Sequence, residues 1–373
     1  MKKITLTLVC FMLTIACSAE TEFIKVPKTN RILGNDYFSY IEKIFTGVSG
    51  EKGSGQKVYL CKEHEVELDE YDISKFLVTN EEYNIFRMKT NYKTEYEKNP
   101  ATMDDPVLKN IIKQNHPVRR ICFIDAIAYA QWLSDNDKEN NYRLPTNAEW
   151  ENAAIDYKKN LYPWGNNDKI LASTMTDSET DRYEYSVNSI TEDCSYLGMR
   201  NLMGGVEFTM DLYNTDFFIN APKTNPVCLD GVDFMTRGIE SYNRMYEDQM
   251  GLFEFSSGGF DSFGNMLSFR LVKDNNAVFN KGTSTECVYF LNRANSKQPK
   301  INIYCNPNNS EKKEVEPLFD LYVIYKTTDA HYYMVFYCVE KFLDFINKYE
   351  NMWYYGWVKA EDIILNNKKW YEE

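Results

Sequence analysis

The chain has 373 residues, of which 43% are hydrophobic, and it contains 28 Tyr and 22 Phe. A single hydrophobic core seldom grows past about 250–300 residues, so this length predicts two domains, and the composition argues against a disordered chain. The formal net charge is −13, and no basic stripe follows residue 20. This balance argues against a nucleic-acid-binding surface, because phosphate recognition needs clustered Lys and Arg.

The first residues have the pattern of an export signal. Lys2 and Lys3 precede an apolar run from Ile4 to Ala16, which is too short to span a bilayer comfortably. We therefore predict an exported protein of the bacterial cell envelope, either periplasmic or on the outer surface.

Residues 13–17, LTIAC, resemble a bacterial lipobox, in which the chain is cut before the cysteine and the thiol carries lipid. We expect residues 1–19 to form a signal peptide, with cleavage before Cys17 and a membrane anchor on its thiol. Ordinary cleavage after Ala19 is the alternative. Residues 20–59 contain Gly/Ser punctuation and are predicted to be a linker.

Seven of the nine cysteines remain if Cys10 leaves with the signal and Cys17 takes lipid. An odd number leaves at least one thiol unpaired, and export permits disulfides without requiring them. No pair has C-x-x-C spacing, which argues against a zinc ribbon and against a thioredoxin-like redox site. The seven are Cys61, Cys122, Cys194, Cys228, Cys287, Cys305 and Cys338.

The first domain begins with a strand followed by a helix. Residues Val66–Phe86 alternate apolar and polar side chains, then change period after Thr79. Thr79 and Glu82 have the spacing of a capping box, and Tyr83 and Phe86 would share one buried face of the helix.

Two more helices are predicted downstream. The first follows Asp125 as its N-cap, and the second follows Thr146, which forms a capping box with Glu149. Their buried faces carry Ala126, Tyr129, Ala130 and Leu133 in the first helix, and Trp150, Ala153 and Ala154 in the second.

Short strands and long polar loops fill the chain from about Gly165 to Val272, and a polar break follows at Asp274–Asn276. Five strand-like runs then indicate a small all-β domain over residues 286–366. Within it, Val339–Met352 has a helical pattern and is predicted to be a helix between two strands.

Seven blocks in chain order match the landmarks of one family. They read FLVTNEEYNIF, HPVRRICFIDAIAYAQWL, YRLPTNAEWENAA, YPWG, NLMGGVEFTMD, MTRGI and SFRLV. Over residues 60–275 the chain resembles the sulfatase-modifying-factor family, also called formylglycine-generating-enzyme-like domains. The resemblance implies a loop-rich α+β fold related to C-type lectins. The family includes catalytic oxidases, iron-dependent enzymes and non-catalytic envelope proteins, and the fold alone does not indicate which of these functions a member has.

Copper is the cofactor that the resemblance implies for formylglycine generation, held by two cysteines just after an Arg-Gly-Gly landmark. Two soft thiolates suit Cu(I). Here the landmark reads Arg237-Gly238-Ile239, and the segment Met235–Phe255 contains no cysteine. The sequence therefore supplies no copper ligands at this place.

Iron-dependent members would need a histidine-rich site. The chain has three histidines, His64, His116 and His331, and they are far apart in sequence. We expect His116, in the HPV block, to be structural and His331 to be a surface residue.

Calcium is the milder alternative, since members of the family often stabilise their loops with hard cations. Asp193 and Asp211 are the candidate ligands, although loop acids are more often simply solvated. The block usually written GNVWEW appears here from Gly204 to Phe208 without its Asn, which removes a side-chain oxygen.

The remaining landmark residues are interpreted as structural. Glu149 already has a capping role, which competes with a role as acid or base. Arg143 and Arg270 are expected to bind buried carboxylates or carbonyls, because the arginine fork satisfies several acceptors. Trp164 is expected to pack under the loops.

The C-terminal part, residues 286–366, resembles a bacterial SH3-like barrel, and its most specific piece is YGWVKAEDI at Tyr355–Ile363. Tyr333, Tyr355 and Trp357 could line a groove for peptide or glycan. Alternate aromatic residues of this kind could equally fill the barrel core.

The sequence thus favours a lipid-anchored envelope protein whose family domain lacks the catalytic cysteine pair. Such a domain would bind an envelope protein, a peptide or a glycan. The alternative is an oxidoreductase of the formylglycine-generating type with a divergent metal site.

Overall fold

In a computed structural model of the chain, the described residues form nineteen β-strands, four α-helices and a short 3-10 helix at Ala360–Asp362. The fold is mixed α/β with strands dominant. The residues that it describes are 21–35, 59–60, 63–98, 114–166, 186–189, 191–202, 206–214, 217, 220–231, 233–238, 254–258, 267–274, 278–280, 286–307, 310–343, 348–366 and 368–372.

The helices are α1 (Asn80–Thr90), α2 (Glu95–Lys98), α3 (Phe123–Asn136) and α4 (Asn147–Ala154). The strands up to residue 274 are β1 (Phe23–Val26), β2 (Thr29–Leu33), β3 (Tyr59–Leu60), β4 (His64–Leu68), β5 (Tyr71–Ser74), β6 (Asn141–Arg143), β7 (Val206–Leu212), β8 (Phe234–Arg237), β9 (Glu254–Gly258), β10 (Leu267–Ser268) and β11 (Val272–Asp274). The later strands are β12 (Val278–Asn280), β13 (Glu286–Ser296), β14 (Ile301–Tyr304), β15 (Lys312–Val315), β16 (Leu321–Thr327), β17 (Tyr332–Leu343), β18 (Lys348–Lys359) and β19 (Ile363–Asn366).

The first sheet has the order β1-β5-β11-β6, and β2 pairs with β4 beside it. Strands β1 and β2 come from the segment 20–59, which was predicted to be a linker, so that prediction is wrong for residues 23–33. The reason is alternation: Arg31 and Leu33 point inward while Asn30 and Ile32 are exposed, the pattern of a half-buried strand.

The capping boxes at the starts of α1 and α4 are confirmed, with Thr79–Glu82 and Thr146–Glu149 each making both reciprocal hydrogen bonds. Helix α3 differs from the prediction, because Cys122 is its N-cap. Asp125 lies three residues later, and its Oδ2 accepts a hydrogen bond from the Cys122 N–H at 2.8 Å. The carboxylate caps the helix from inside its first turn.

A second sheet has the order β10-β7-β8-β9-β3, and all seven residues of its strand β7 are buried. Strand β7 packs against α4, and its Met210 N–H donates to the Pro145 carbonyl just before that helix. The helix start is therefore fixed to the middle of this sheet.

The third sheet has eight strands, in the order β12-β13-β16-β17-β18-β14-β15, with β19 paired to β13. Strands β17 and β18 are antiparallel over their full lengths, with Phe342 opposite Tyr349. The helix predicted at Val339–Met352 is therefore wrong. Cross-strand pairing outweighs the local helical pattern, because this segment extends β17 and β18, which are already paired nearer their other ends.

One hydrophobic cluster runs through the second sheet, helix α3 and the eight-stranded sheet. The rings of Phe123 and Phe234 stack with centroids 3.4 Å apart, and Phe336 of β17 lies 5.3 Å from Phe234. The two predicted domains therefore share a core.

Several predicted features lie outside the described residues: the signal peptide at 1–19, the lipidation residue Cys17, Cys61 and Gly204. Among the helices that are described, none combines the length and apolar character needed to cross a bilayer.

Candidate functional site

Three Arg–Glu pairs in the described part of the chain are almost completely excluded from water on both sides. Two of them join α4 to strands β6 and β8, and the third joins Arg270 to strand β7. The landmark residues of the sequence analysis meet here.

The first pair joins Arg143 of β6 to Glu149 of α4. Nη1 and Nη2 of Arg143 each donate to one carboxylate oxygen at 2.7 Å, a bidentate arrangement. The Glu149 Oε2 also accepts from the Thr146 N–H at 2.8 Å. The carboxylate of Glu149 therefore binds a cation and caps the helix, which leaves it poorly placed as an acid or base.

The second pair joins Arg237 at the end of β8 to Glu151 of α4. The Arg237 guanidinium carbon lies 5.1 Å from the centre of the Trp150 ring, and the Trp150 side chain is fully buried. Glu151 also accepts from the Gly34 N–H at 2.5 Å, which ties the end of β2 to the same helix.

The third pair joins Arg270 to Glu207 of β7, through Nε at 2.5 Å and Nη2 at 2.9 Å. The same guanidinium donates to the carbonyl of Ser74 at 3.1 Å and to that of Arg200 at 2.8 Å. Arg270 therefore gathers β5, β7 and the loop before it, as the sequence analysis expected for a fork with several acceptors.

Asp211, a candidate calcium ligand, is buried in β7 with both oxygens occupied by backbone amides. The N–H of Asn147 donates to Oδ2 at 2.6 Å and that of Cys228 to Oδ1 at 2.8 Å. Burial raises the pKa of this carboxyl to about 7, against the effect of those amides. A group that favours its neutral form fits a hard cation poorly.

Asp193, the other calcium candidate, is also buried, and its Oδ1 accepts from the Leu202 N–H at 3.1 Å. It shapes the loop that precedes β7. Within the part of the chain that the structure describes, no three His, Cys, Asp or Glu side chains are grouped as metal ligands would be.

The environments of Cys228 and Cys194 do not suit copper ligands. Burial, reinforced by the Asp211 carboxylate, raises the pKa of Cys228 far above the ordinary range of a thiol. A metal-binding or nucleophilic cysteine needs its thiolate, which this environment disfavours. Cys194 is half-buried, and its Sγ contacts the Ser195 carbonyl at 3.5 Å.

The remaining residues singled out in the sequence are His116, Trp164 and His331, and the first two make contacts that stabilise the fold. His116 is buried, and its carbonyl accepts from the Asn80 N–H at 2.8 Å at the start of α1. Trp164 stacks on Tyr162 with ring centroids 5.5 Å apart. His331 is exposed in the turn before β17, where its Nδ1 lies 3.2 Å from Asp329.

The three aromatic residues proposed for a ligand groove have different surroundings. Trp357 is 1% exposed and belongs to the shared core. The Tyr355 hydroxyl accepts a hydrogen bond from the Gly231 N–H at 3.0 Å, across to the loop before β8. Tyr333 is half-buried against Phe290, with centroids 5.8 Å apart. Trp357 and Tyr355 serve packing between the parts of the chain.

Sequence reasoning missed Glu151 and Glu207 as arginine partners. Both stand inside motifs that were recognised, at AEWEN and GGVEF. A charged residue inside an otherwise apolar landmark was the available signal, because buried charges are almost always paired.

Two sheets joined through a short capped helix and three buried Arg–Glu pairs define a loop-rich α/β domain. The family model described as the sulfatase-modifying factor enzyme 1-like domain matches residues 25–275, and the chain belongs to this family.

Several known proteins are similar to this chain. The formylglycine-generating enzyme of Mycobacterium tuberculosis is 36% identical over 73 residues, covering 20% of this chain and 22% of that protein. YfmG of Bacillus subtilis is 34% identical over 109 residues, covering 26% of this chain and 20% of that protein. The chain thus spans about a fifth of the length of these curated relatives. Among solved structures, PvdO from Pseudomonas aeruginosa has a TM-score of 0.47 and 16% identity, covering 68% of this chain and 94% of that one.

We expect Arg237→Met to lower the free energy of unfolding by about 3–5 kcal/mol, because it leaves the Glu151 carboxylate buried without its cation. Urea unfolding monitored by circular dichroism measures the loss. The double variant Arg237→Met/Glu151→Met should lose clearly less than the sum of the two single variants.

The control for this cycle is Lys25→Met, since Lys25 forms an exposed ion pair with Glu70 and should cost at most about 1 kcal/mol. Additive losses in the Arg237/Glu151 cycle would contradict a coupled buried pair.

Asp211 should make the protein less stable as pH rises. Its pKa is about 7 in the folded state against an ordinary value of 3.8, so the native state holds the proton more tightly than the unfolded chain. The stability from this group is complete below about pH 4 and is lost as pH rises toward 7, with a slope of up to ~1.4 kcal/mol per pH unit. Unfolding free energies of the wild type minus those of Asp211→Asn should decrease over that window.

Asp230→Asn is the matched control, because Asp230 is exposed two residues from Cys228. A difference between wild type and Asp211→Asn that stays constant from pH 4 to pH 8 would refute the raised pKa.

Proposed function

We propose that this chain is a non-catalytic binding or scaffold protein of the bacterial cell envelope. Its family domain would present loops to a protein or glycan ligand. One observation carries the proposal: the segment Met235–Phe255, where the family resemblance implies a cysteine pair, contains no cysteine.

The surroundings of that segment support the same interpretation. Arg237, which opens the segment, binds the Glu151 carboxylate in the core. The buried Cys228 has a pKa raised by burial, which disfavours the thiolate that a metal or an oxidised intermediate would need. The residues around this segment therefore do not fit copper.

Finer features of the fold belong to the proposal as well. A C-type-lectin-like arrangement is supported by the short strands of the first two sheets. An SH3-like relationship for residues 286–366 is supported by the YGWVKAEDI motif and by the antiparallel pairing of β16, β17 and β18.

An oxidoreductase of the formylglycine-generating type is the second candidate. It is favoured by the name of the Mycobacterium tuberculosis relative, whose matched region includes only part of each chain. Cys194 and Cys228 are the described thiols nearest in sequence to the relevant segment, which makes them the first thiols to test for a relocated activity.

We expect no conversion when the purified chain is incubated with copper, oxygen and a peptide carrying a sulfatase-type Cys-x-Pro-x-Arg motif. Mass spectrometry of the peptide cysteine is the measurement. The Mycobacterium tuberculosis formylglycine-generating enzyme, in the same buffer, provides the positive control.

Clear loss of mass at the peptide cysteine would overturn the non-catalytic assignment. The variants Cys194→Ser and Cys228→Ser would then show whether either thiol takes part, because replacing any cysteine that the chemistry requires should abolish conversion.

Lipid anchoring of the exported chain rests on residues 13–17. We expect Cys17→Ser to move the protein from the detergent phase to the aqueous phase in detergent partitioning of cells that express the full chain. Incorporation of a labelled fatty acid should be lost in parallel. Unchanged partitioning and labelling in Cys17→Ser would rule out the anchor; Cys10→Ser is the matched control within the same segment.

A further inference from the structure

The short segment Lys368–Glu372 lies between helix α3 and the eight-stranded sheet. Its Trp370 is 2% exposed, and the indole Nε1 donates to the carbonyls of Asn292 at 3.0 Å and Val323 at 3.2 Å. The backbone N–H of Trp370 donates to Oε1 of the buried Gln131 at 2.6 Å. One residue therefore contacts β13 and β16 on one side and α3 on the other.

The residues on either side of Trp370 bind the same carboxylate of α3. Lys369 Nζ lies 2.9 Å from Asp135 Oδ1, and the Tyr371 hydroxyl donates to Oδ2 at 2.8 Å. The Tyr371 ring also meets Phe86 of α1 edge-on, with centroids 6.3 Å apart. Asp135 thus receives two hydrogen bonds from one stretch of three residues.

Arg293 of β13 fixes the far end of the segment. Its Nη1 donates to the Glu372 carbonyl at 2.6 Å, while Nη2 lies 3.1 Å from Asp320. Its guanidinium carbon is 4.8 Å from the centre of the Tyr322 ring, against which Trp370 packs at 5.0 Å.

We propose that Lys368–Glu372 is a latch that holds the eight-stranded sheet against α3 and can be released by local opening while the first sheet stays folded. The Lys369–Asp135 ion pair is half-exposed, and a pair of this kind contributes at most about 1 kcal/mol. The buried indole of Trp370 supplies the rest of the stabilisation of this contact. A short segment with one buried side chain and exposed flanking bonds belongs to the weakest elements of a fold, which open locally first.

Release would open the shared core where it crosses between the two parts. Phe123 of α3 and Phe336 of β17 have ring centroids 6.0 Å apart, and Trp370 lies 6.4 Å from Phe336. Opening there should reach the amides of α3 and β16, while β5 in the first sheet should remain protected.

The test compares the wild type with a chain that lacks residues 368–373, by hydrogen–deuterium exchange with mass spectrometry. We expect exchange in α3 and β16 to become roughly tenfold faster or more, the factor given by a loss of ~1.4 kcal/mol. Exchange in β5 should be unchanged. Lys368→Ala, at an exposed position of the segment, is the control and should exchange as the wild type does.

The synthetic peptide KKWYEE, added to the shortened chain, should bind saturably and slow exchange in α3 and β16 again. The same peptide carrying Trp370→Ala should not. Since tethering supplies an effective concentration on the order of millimolar, restoration needs an excess of free peptide.

Three outcomes would overturn the latch. They are unchanged exchange in α3 and β16 after the deletion, equal acceleration in β5, which would indicate general destabilisation, and failure of KKWYEE to restore protection.

Discussion

Three buried Arg–Glu pairs, two of which involve the eight-residue helix α4, are the constraint on which the rest of the fold depends. Helix α4 carries Glu149 and Glu151, and each binds an arginine from a different strand, β6 or β8. Desolvating a charge costs several kcal/mol, so each guanidinium must find its carboxylate in good geometry or the structure is lost. That requirement fixes the helix between the two sheets more sharply than apolar packing would, because an ion pair has a direction and a hydrophobic contact has none.

The parts of this arrangement that were predictable from sequence are the local ones. The capping box of Thr146 and Glu149 spans three residues, and Arg143 lies six residues from Glu149, so one short motif contains the whole unit. Arg237 and Glu151 are 86 residues apart, and Arg270 and Glu207 are 63 apart. From the sequence, a buried acceptor was expected for Arg270 but not for Arg237, and neither carboxylate could be chosen, since that choice depends on which strands become neighbours.

Misassignments in the rest of the chain have the same physical origin. At Val339–Met352 the apolar spacing suits a helix, yet β17 and β18 pair along it because both strands are already in the sheet. Residues 23–33 stand before a Gly/Ser-rich stretch and were predicted to be a linker, although β1 pairs with β5, where Phe23 lies opposite Ser74, 51 residues away. Trp357 was a candidate for a ligand groove because aromatic residues serve surfaces and cores alike; here it fills the core shared by the two predicted domains.

The buried site also bears on the difference between belonging to this family and performing its chemistry. A reaction centre needs groups that change charge or bind a metal, and such groups must be held near the charged form that acts. Around α4 the charged groups are neutralised in pairs, and the groups without a counter-ion are pushed toward their neutral forms: burial raises the pKa of Asp211 and that of Cys228. These surroundings stabilise the fold of the domain. The residues that carry the family resemblance are the same ones that assemble it, so the resemblance carries the fold and does not by itself carry a reaction.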